Sequence, residues 1–215
     1  MQIRNSNLNF TSRNPAIRYA DDIARRVNCA FPRISKSKFE NFKNYDSRSY
    51  LNFRLREKTN QMRRLKDSCF RSATHPIQKL LAFITPIQEK RLGNCAESSQ
   101  LSAIAAKMNG IDNFTIARLR TTDGKSLDHQ VLLVQDNPPY IIDSWLGFAD
   151  YIPQTLEKYK GIYRRNFNIN SFNEKNINFE IDKEDIYDRF LRKTISEEDM
   201  QKLKKMFPQL IVEGK

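Results

Sequence analysis

Hydrophobic positions recur most regularly between residues 93 and 143. Leu101, Ile104, Ala105 and Met108 stand at i, i+3, i+4 and i+7, which predicts a helix with one apolar face. Asn94 occupies the N-cap position, Glu97 three residues on completes a capping box, and Gly110 is placed to stop the helix. FTIARLR (114–120) alternates apolar and polar residues and predicts a strand. Asp123-Gly124 marks a turn, LDHQVLLVQ (127–135) a stronger strand, DNPP a second turn, and YIID (140–143) a third strand. A helix followed by an antiparallel meander is an α+β pattern.

The flanks are less regular. Ile17, Ala20, Ala24 and Val27 predict a helix over 17–30, with Pro32 beyond its end. PIQKLLAFITPIQEK (76–90) predicts a helix that breaks before Pro86, because the residue preceding a proline disfavours helical geometry. Residues 1–15 are rich in Asn and Ser, and residues 33–60 are polar. Residues 171–215 predict a polar linker and one or two amphipathic helices, with Ser196-Glu197-Glu198-Asp199 as a helix start. The expected division is a basic, partly flexible helical segment over 1–75, a core over 76–170, and a linker with a helical C-terminal segment over 171–215.

Composition narrows the class. A chain of 215 residues fits one compact domain or a domain with an arm. Phe 14 and Tyr 8 supply core material despite 39% hydrophobic residues, which argues against full disorder. Only six glycines argue against a Gly-rich phosphate loop, and three cysteines are too few for a disulfide framework, so they read as thiols. No apolar run reaches the roughly 20 residues of a membrane span, and the first fifteen residues lack the apolar centre of a secretory signal peptide.

Charge is uneven. Residues 1–92 hold 20 basic against 7 acidic residues, a net of +13, whereas the remainder holds 17 against 18. Such a segment can meet an acidic protein, an anionic lipid surface or nucleic acid. Phe39, Phe42, Tyr45, Tyr50 and Phe53 interleave with the bases, as in segments that stack on single strands. The plainer use of such aromatics is to anchor a peripheral segment to a core, and nucleic acid is not the partner expected.

The chemistry gathers in the regular region. Cys95 falls in the first turn of the predicted helix, where amides and the positive dipole end favour a thiolate. The Cys95 amide can also hold an oxyanion beside the nucleophile. A thiol nucleophile needs a base that later protonates the leaving group, and His129 lies within the strongest strand. Its imidazole needs a carboxylate to fix the tautomer. His129 and Asp143 each stand seven residues from Asp136, so a hairpin centred there makes them cross-strand neighbours. Trp145 follows and can wall the site. Cys29, Cys69 and His75 show no pairing that suggests a zinc site, and no metal or cofactor is expected.

Gly93-Asn94-Cys95-Ala96-Glu97, then Asp128-His129-Gln130-Val131, then Ile142-Asp143-Ser144-Trp145 resembles the transglutaminase-like core of the papain-like Cys-His-Asp superfamily. The match covers about residues 90–150. It implies a Cys-bearing helix packed on an antiparallel sheet that carries His and Asp, with helical additions at both ends. It implies Cys95 as nucleophile, His129 as general base and acid, Asp143 as orienting carboxylate, and Asn94 and Trp145 at the substrate. Members include proteases, cross-linking enzymes and bacterial effectors that deamidate protein glutamines. The compact chain is most similar to the effector type, which implies a protein substrate, a host protein among the candidates, and synthesis in a bacterial cytoplasm with export into a host left open. The glutamine that papain relatives often place before the Cys has no counterpart with a motif around it; Gln78 and Gln88 are the residues available. The alternative is a non-catalytic module whose basic segment engages an acidic protein, lipid or nucleic acid.

Overall fold

The computed structural model describes residues 14–31, 50–121, 126–167, 177–181 and 186–213. The Lys- and aromatic-rich stretch at 33–49, the Asp123-Gly124 turn and residues 1–13 lie outside them. Among the described residues, no helix is long and apolar enough to cross a membrane.

The architecture is α+β: among the described residues, seven helices and a five-stranded antiparallel sheet. The helices are α1 (Pro15–Ala30), α2 (Tyr50–Ser72), α3 (Pro76–Lys90), α4 (Cys95–Met108), α5 (Ile152–Phe167), α6 (Ile186–Leu191) and α7 (Glu197–Met206). The strands are β1 (Phe114–Thr121), β2 (Ser126–Val134), β3 (Tyr140–Asp143), β4 (Phe148–Tyr151) and β5 (Ile177–Ile181). Their order in the sheet is β4-β3-β2-β1-β5. The predicted meander forms its centre. β4 continues it, and β5 adds an edge within the stretch expected to be linker, where Ile177, Phe179 and Ile181 alternate as a strand requires.

Helix α4 is central. Its predicted apolar positions are all buried, but so is every other residue except Ala96. The small side chains of Ser98, Ser99, Ser102, Ala103, Ala105 and Ala106 let neighbours approach from all sides, so α4 runs through the core rather than along its surface. Its start and stop follow the sequence. Asn94 Oδ1 accepts from the Ala96 amide at 2.9 Å, Glu97 returns a carboxylate to the Asn94 amide at 2.9 Å, and Gly110 adopts φ 75° just past the end.

Two expectations are corrected. Helix α3 does not break at Pro86 but runs through it. Leu80, Phe83, Ile84, Pro86 and Ile87 are buried on one side, and that burial offsets the lost amide donor. The β2–β3 hairpin pairs Leu132 with Ile142, Leu133 with Ile141 and Val134 with Tyr140. It is therefore centred on Asn137 rather than Asp136. Moving the centre by one residue moves each partner by two, which keeps His129 and Asp143 on one face as diagonal rather than direct neighbours.

The main hydrophobic cluster draws on both ends of the chain. Ile17, Ala20, Ile23, Ala24 and Val27 of α1 pack into it, as do Leu203 of α7 and Leu210 of the following 3₁₀ turn. A smaller cluster of Cys95, Leu119, Val131, Ile141, Trp145, Leu156 and Tyr159 lies around the candidate site.

Candidate active site

Asp143 ends β3 and enters a tight turn. Its Oδ1 accepts from the amides of Trp145 and Leu146, both at 3.1 Å. The Gly147 amide closes the turn on the Asp143 carbonyl at 2.8 Å. Gly147 has φ 77°, a left-handed conformation that suits glycine. Helix α1 clamps this turn from outside. Asn28 Nδ2 donates to the carbonyls of Ser144 at 2.8 Å and Trp145 at 3.1 Å. Asp21 accepts the Ala149 amide at 2.9 Å.

The turn leaves Asp143 Oδ2 aimed at β2. His129 Nε2, facing a carboxylate, donates to it at 2.7 Å. Tyr159 Oη of α5 donates to the same oxygen at 2.6 Å. Both oxygens are thus filled, and the carboxylate is only 1% exposed. The ladder between β2 and β3 ends at Leu132 and Ile142, and this side-chain bond lies beyond it.

His129 is buried between two rings. Trp145 lies 5.4 Å away, centroid to centroid, and Tyr159 meets it edge-on at 5.3 Å. Burial alone lowers an imidazole pKa. The Asp143 carboxylate outweighs it by charge and hydrogen bond, and the Cys95 side chain adds in the same sense. The result is pushed up from 6.5 to about 10. The structure therefore brings Cys95, His129 and Asp143 together, from a helix start, a strand and a strand end.

Cys95 is the first residue of α4 and is buried. The Asn94 side chain and carbonyl hold the amides of Ala96, Glu97 and Ser98, and the Cys95 amide lies outside that cap. A cleft of about 380 Å³ opens beside Cys95 and His129. Asn94 lines it, although its side chain is committed to the cap. Trp145 does not line it: it backs the imidazole and shields it from solvent, 8% exposed itself. Gln78 caps α3, accepting from the His75 amide, and neither it nor Gln88 reaches the cleft. Gln100 and Gln130 do line it. Gln100 Oε1 accepts from Lys66 Nζ at 2.8 Å, and Gln130 Oε1 accepts from Ser99 at 3.1 Å.

Several of these groups carry no sequence signal. Tyr159 sits at an ordinary apolar position of α5, and only the fold turns its hydroxyl to Asp143. Arg63 and Lys66 belong to α2, which lies inside the segment expected to be helical over 1–75. Arg63 forks onto buried Glu97, Nε to Oε1 at 2.7 Å and Nη2 to Oε2 at 3.0 Å, and Lys66 stands 3.9 Å from Oε1. Burial raises a carboxyl pKa. Here the Arg63 bond, the Lys66 charge and the Asn94 amide prevail and hold Glu97 below the usual carboxylate value.

The remaining thiols lie elsewhere. Cys29 is exposed at the end of α1, and Cys69 is half-buried on α2. His75 is the exposed N-cap residue of α3. Among the described residues, no three His, Cys, Asp or Glu side chains group as a metal site.

No family model, no curated protein and no solved structure matches this chain.

Proposed function

We propose that the protein is a thiol-dependent acyl-transfer enzyme of the papain-like, transglutaminase-like type, acting on a carboxamide of a protein substrate. The observation that carries this reading is the buried 2.7 Å bond between His129 and Asp143 beside a cysteine at a helix N-terminus, open to a cleft. A packing histidine has no need of a dedicated carboxylate, a cysteine at a helix start and a cleft at one place.

Cys95 sulfur attacks the carboxamide carbon, and the developing oxyanion rests on the Cys95 amide. The C–N bond breaks, and His129 gives its proton to the departing nitrogen. A thioester remains on Cys95. Water then attacks the thioester carbon while His129 takes its proton, releasing a carboxylic acid and the thiol. Asp143 keeps the imidazole oriented and balances its charge. The same steps cleave a peptide bond or deamidate a glutamine side chain, and an amine in place of water forms a cross-link. A bacterial effector is the setting this reading favours.

The test is alkylation by iodoacetamide at mildly acidic pH, with the modified cysteine identified by mass spectrometry. Cys95 reacts at least tenfold faster than exposed Cys29, as expected for a thiolate held by an imidazolium. His129→Ala removes the advantage. A Cys95 that reacts no faster than Cys29 or Cys69 overturns the reading. It would leave the rival, a non-catalytic module, whose binding tolerates Cys95→Ala and falls steeply with salt.

A further inference from the structure

The cleft beside Cys95 is walled on one side by α2, through Arg63, Lys66 and Asp67. A second hollow of about 610 Å³ lies against the same helix at Arg64, Asp67, Ser68, Arg71 and Ser72. Asp67 lines both, so the hollows adjoin along α2. Asp67 itself is occupied, since it accepts the Tyr187 hydroxyl.

The exposed side of α2 is strongly basic. Arg56, Lys58, Arg64 and Arg71 all face solvent, and among the described residues none of the four has an acidic partner. Glu57 is the one exposed acid on the helix, and it stands 3.9 Å from Arg54. Bonds from the same helix tie it to the cleft. Arg63 and Lys66 are locked onto Glu97 and Gln100 of α4, the helix that begins with Cys95.

We infer that the basic face of α2 docks an acidic stretch of the polypeptide substrate and leads it into the Cys95 cleft. The inference rests on the acyl-transfer reading and deepens it by naming the substrate class. Arg71 lies four residues past Asp67, about 6 Å along the helix, which an extended peptide covers in about two residues. The acidic side chains of the substrate therefore belong within a few residues of the reactive carboxamide.

A polypeptide fits better than the other anionic partners. A helix that lies on lipid presents an apolar face to it. Between Arg54 and Ser72 of α2, Met62 and Phe70 are buried, Leu55 is half-buried, and Leu65 is the one large apolar side chain exposed. A single strand of nucleic acid stacks on aromatic rings, and α2 exposes none between Arg54 and Ser72, where Phe70 is buried. Two arginines in a hollow that adjoins the thiol cleft suit a chain threaded toward that thiol.

The experiment compares two synthetic peptides, each with a chloroacetyl group in place of the reactive carboxamide. One carries glutamates on the flanking positions and the other glutamines. Cys95 sulfur displaces chloride, and mass spectrometry follows the thioether. Each rate is divided by the iodoacetamide rate of the same protein, which corrects for changes in the thiol itself. The acidic peptide is expected to react about tenfold faster at low salt. The preference shrinks in Arg64→Ala/Arg71→Ala, vanishes in Arg64→Glu/Arg71→Glu, and falls as salt rises. Equal rates for the two peptides overturn the inference.

Failure of the acyl-transfer reading shows separately, as iodoacetamide that does not favour Cys95. Docking is then read by fluorescence anisotropy of the labelled acidic peptide. Salt-sensitive binding that the charge reversal abolishes upholds it, and no binding overturns it. Tighter binding of phosphatidylserine vesicles or of a thymidine oligonucleotide to the same arginines also overturns the assignment to a polypeptide.

Discussion

At the scale of single residues, a buried imidazole is unfavourable to charge unless an anion stands beside it. Asp143 is that anion, and four donors fix it: two turn amides, Tyr159 and His129. The folded protein therefore holds the His129 proton up to about pH 10, against 6.5 for an ordinary histidine. The sign of the linkage follows. A raised pKa contributes stability that is fully present below about pH 6.5 and is lost as pH rises through about 10. The urea midpoint of the wild type is expected to fall across that window, and that of His129→Gln to stay flat from this source. An equal fall in both proteins refutes the coupling. His129 and Asp143 were legible as a pair because residues of one parity on adjacent strands share a face. Tyr159 was not, since a tyrosine among apolar helix positions reads as packing whichever way its hydroxyl points.

At the scale of elements, the start of α4 is held twice. The capping box was legible, being local in sequence. The clamp from α2 was not, because Arg63 and Lys66 lie 34 residues before Glu97 and Gln100. Glu97 is 1% exposed and held below the usual carboxylate pKa. Its pairing stabilises the fold above about pH 4.5 and is lost as pH falls through the lower folded value. Glu97→Ala leaves Lys66 buried without its carboxylate and is expected to cost about 3–5 kcal/mol at pH 7. The deficit narrows toward pH 3. Urea titrations at the two pH values check this, and a deficit independent of pH refutes the ionic role. Helix α3 teaches the converse lesson about local rules. The residue-before-proline preference predicted a break, but a proline costs a helix about 3 kcal/mol, and a row of buried apolar side chains on both sides of Pro86 outweighs it.

At the scale of the molecule, the fold closes by bringing the N-terminal helix onto the far edge of the sheet. Ile17, Ile23 and Val27 of α1 are buried, and Asp21 and Asn28 bond the backbone of β4 and of the turn after Asp143. Burying three such side chains is worth roughly 1.5–3 kcal/mol each, a large share of the 5–15 kcal/mol typical of a domain. Deleting residues 1–31 is therefore expected to abolish cooperative unfolding followed by the fluorescence of the single tryptophan, Trp145. A truncated chain that unfolds sharply near the midpoint of the full chain refutes this. The positive charge before Leu92 is thus not carried by a separate arm alone. Part of it, on α2, forms a wall of the candidate site.

The sequence by itself determined what depends on neighbours along the chain. Capping residues, the apolar periods of α1 and α4, the three-stranded meander and the parity of His129 and Asp143 all follow from spacings of a few residues. The tertiary structure alone decided what depends on residues far apart: burial of α4 on every side, the hairpin centre at Asn137, the edge strand β5, the hydroxyl of Tyr159 on Asp143 and the place of α2 beside Cys95. Backbone geometry fixes the first group within a turn or a strand. The second is fixed only when a whole core is packed, because each contact there depends on every other element being in place.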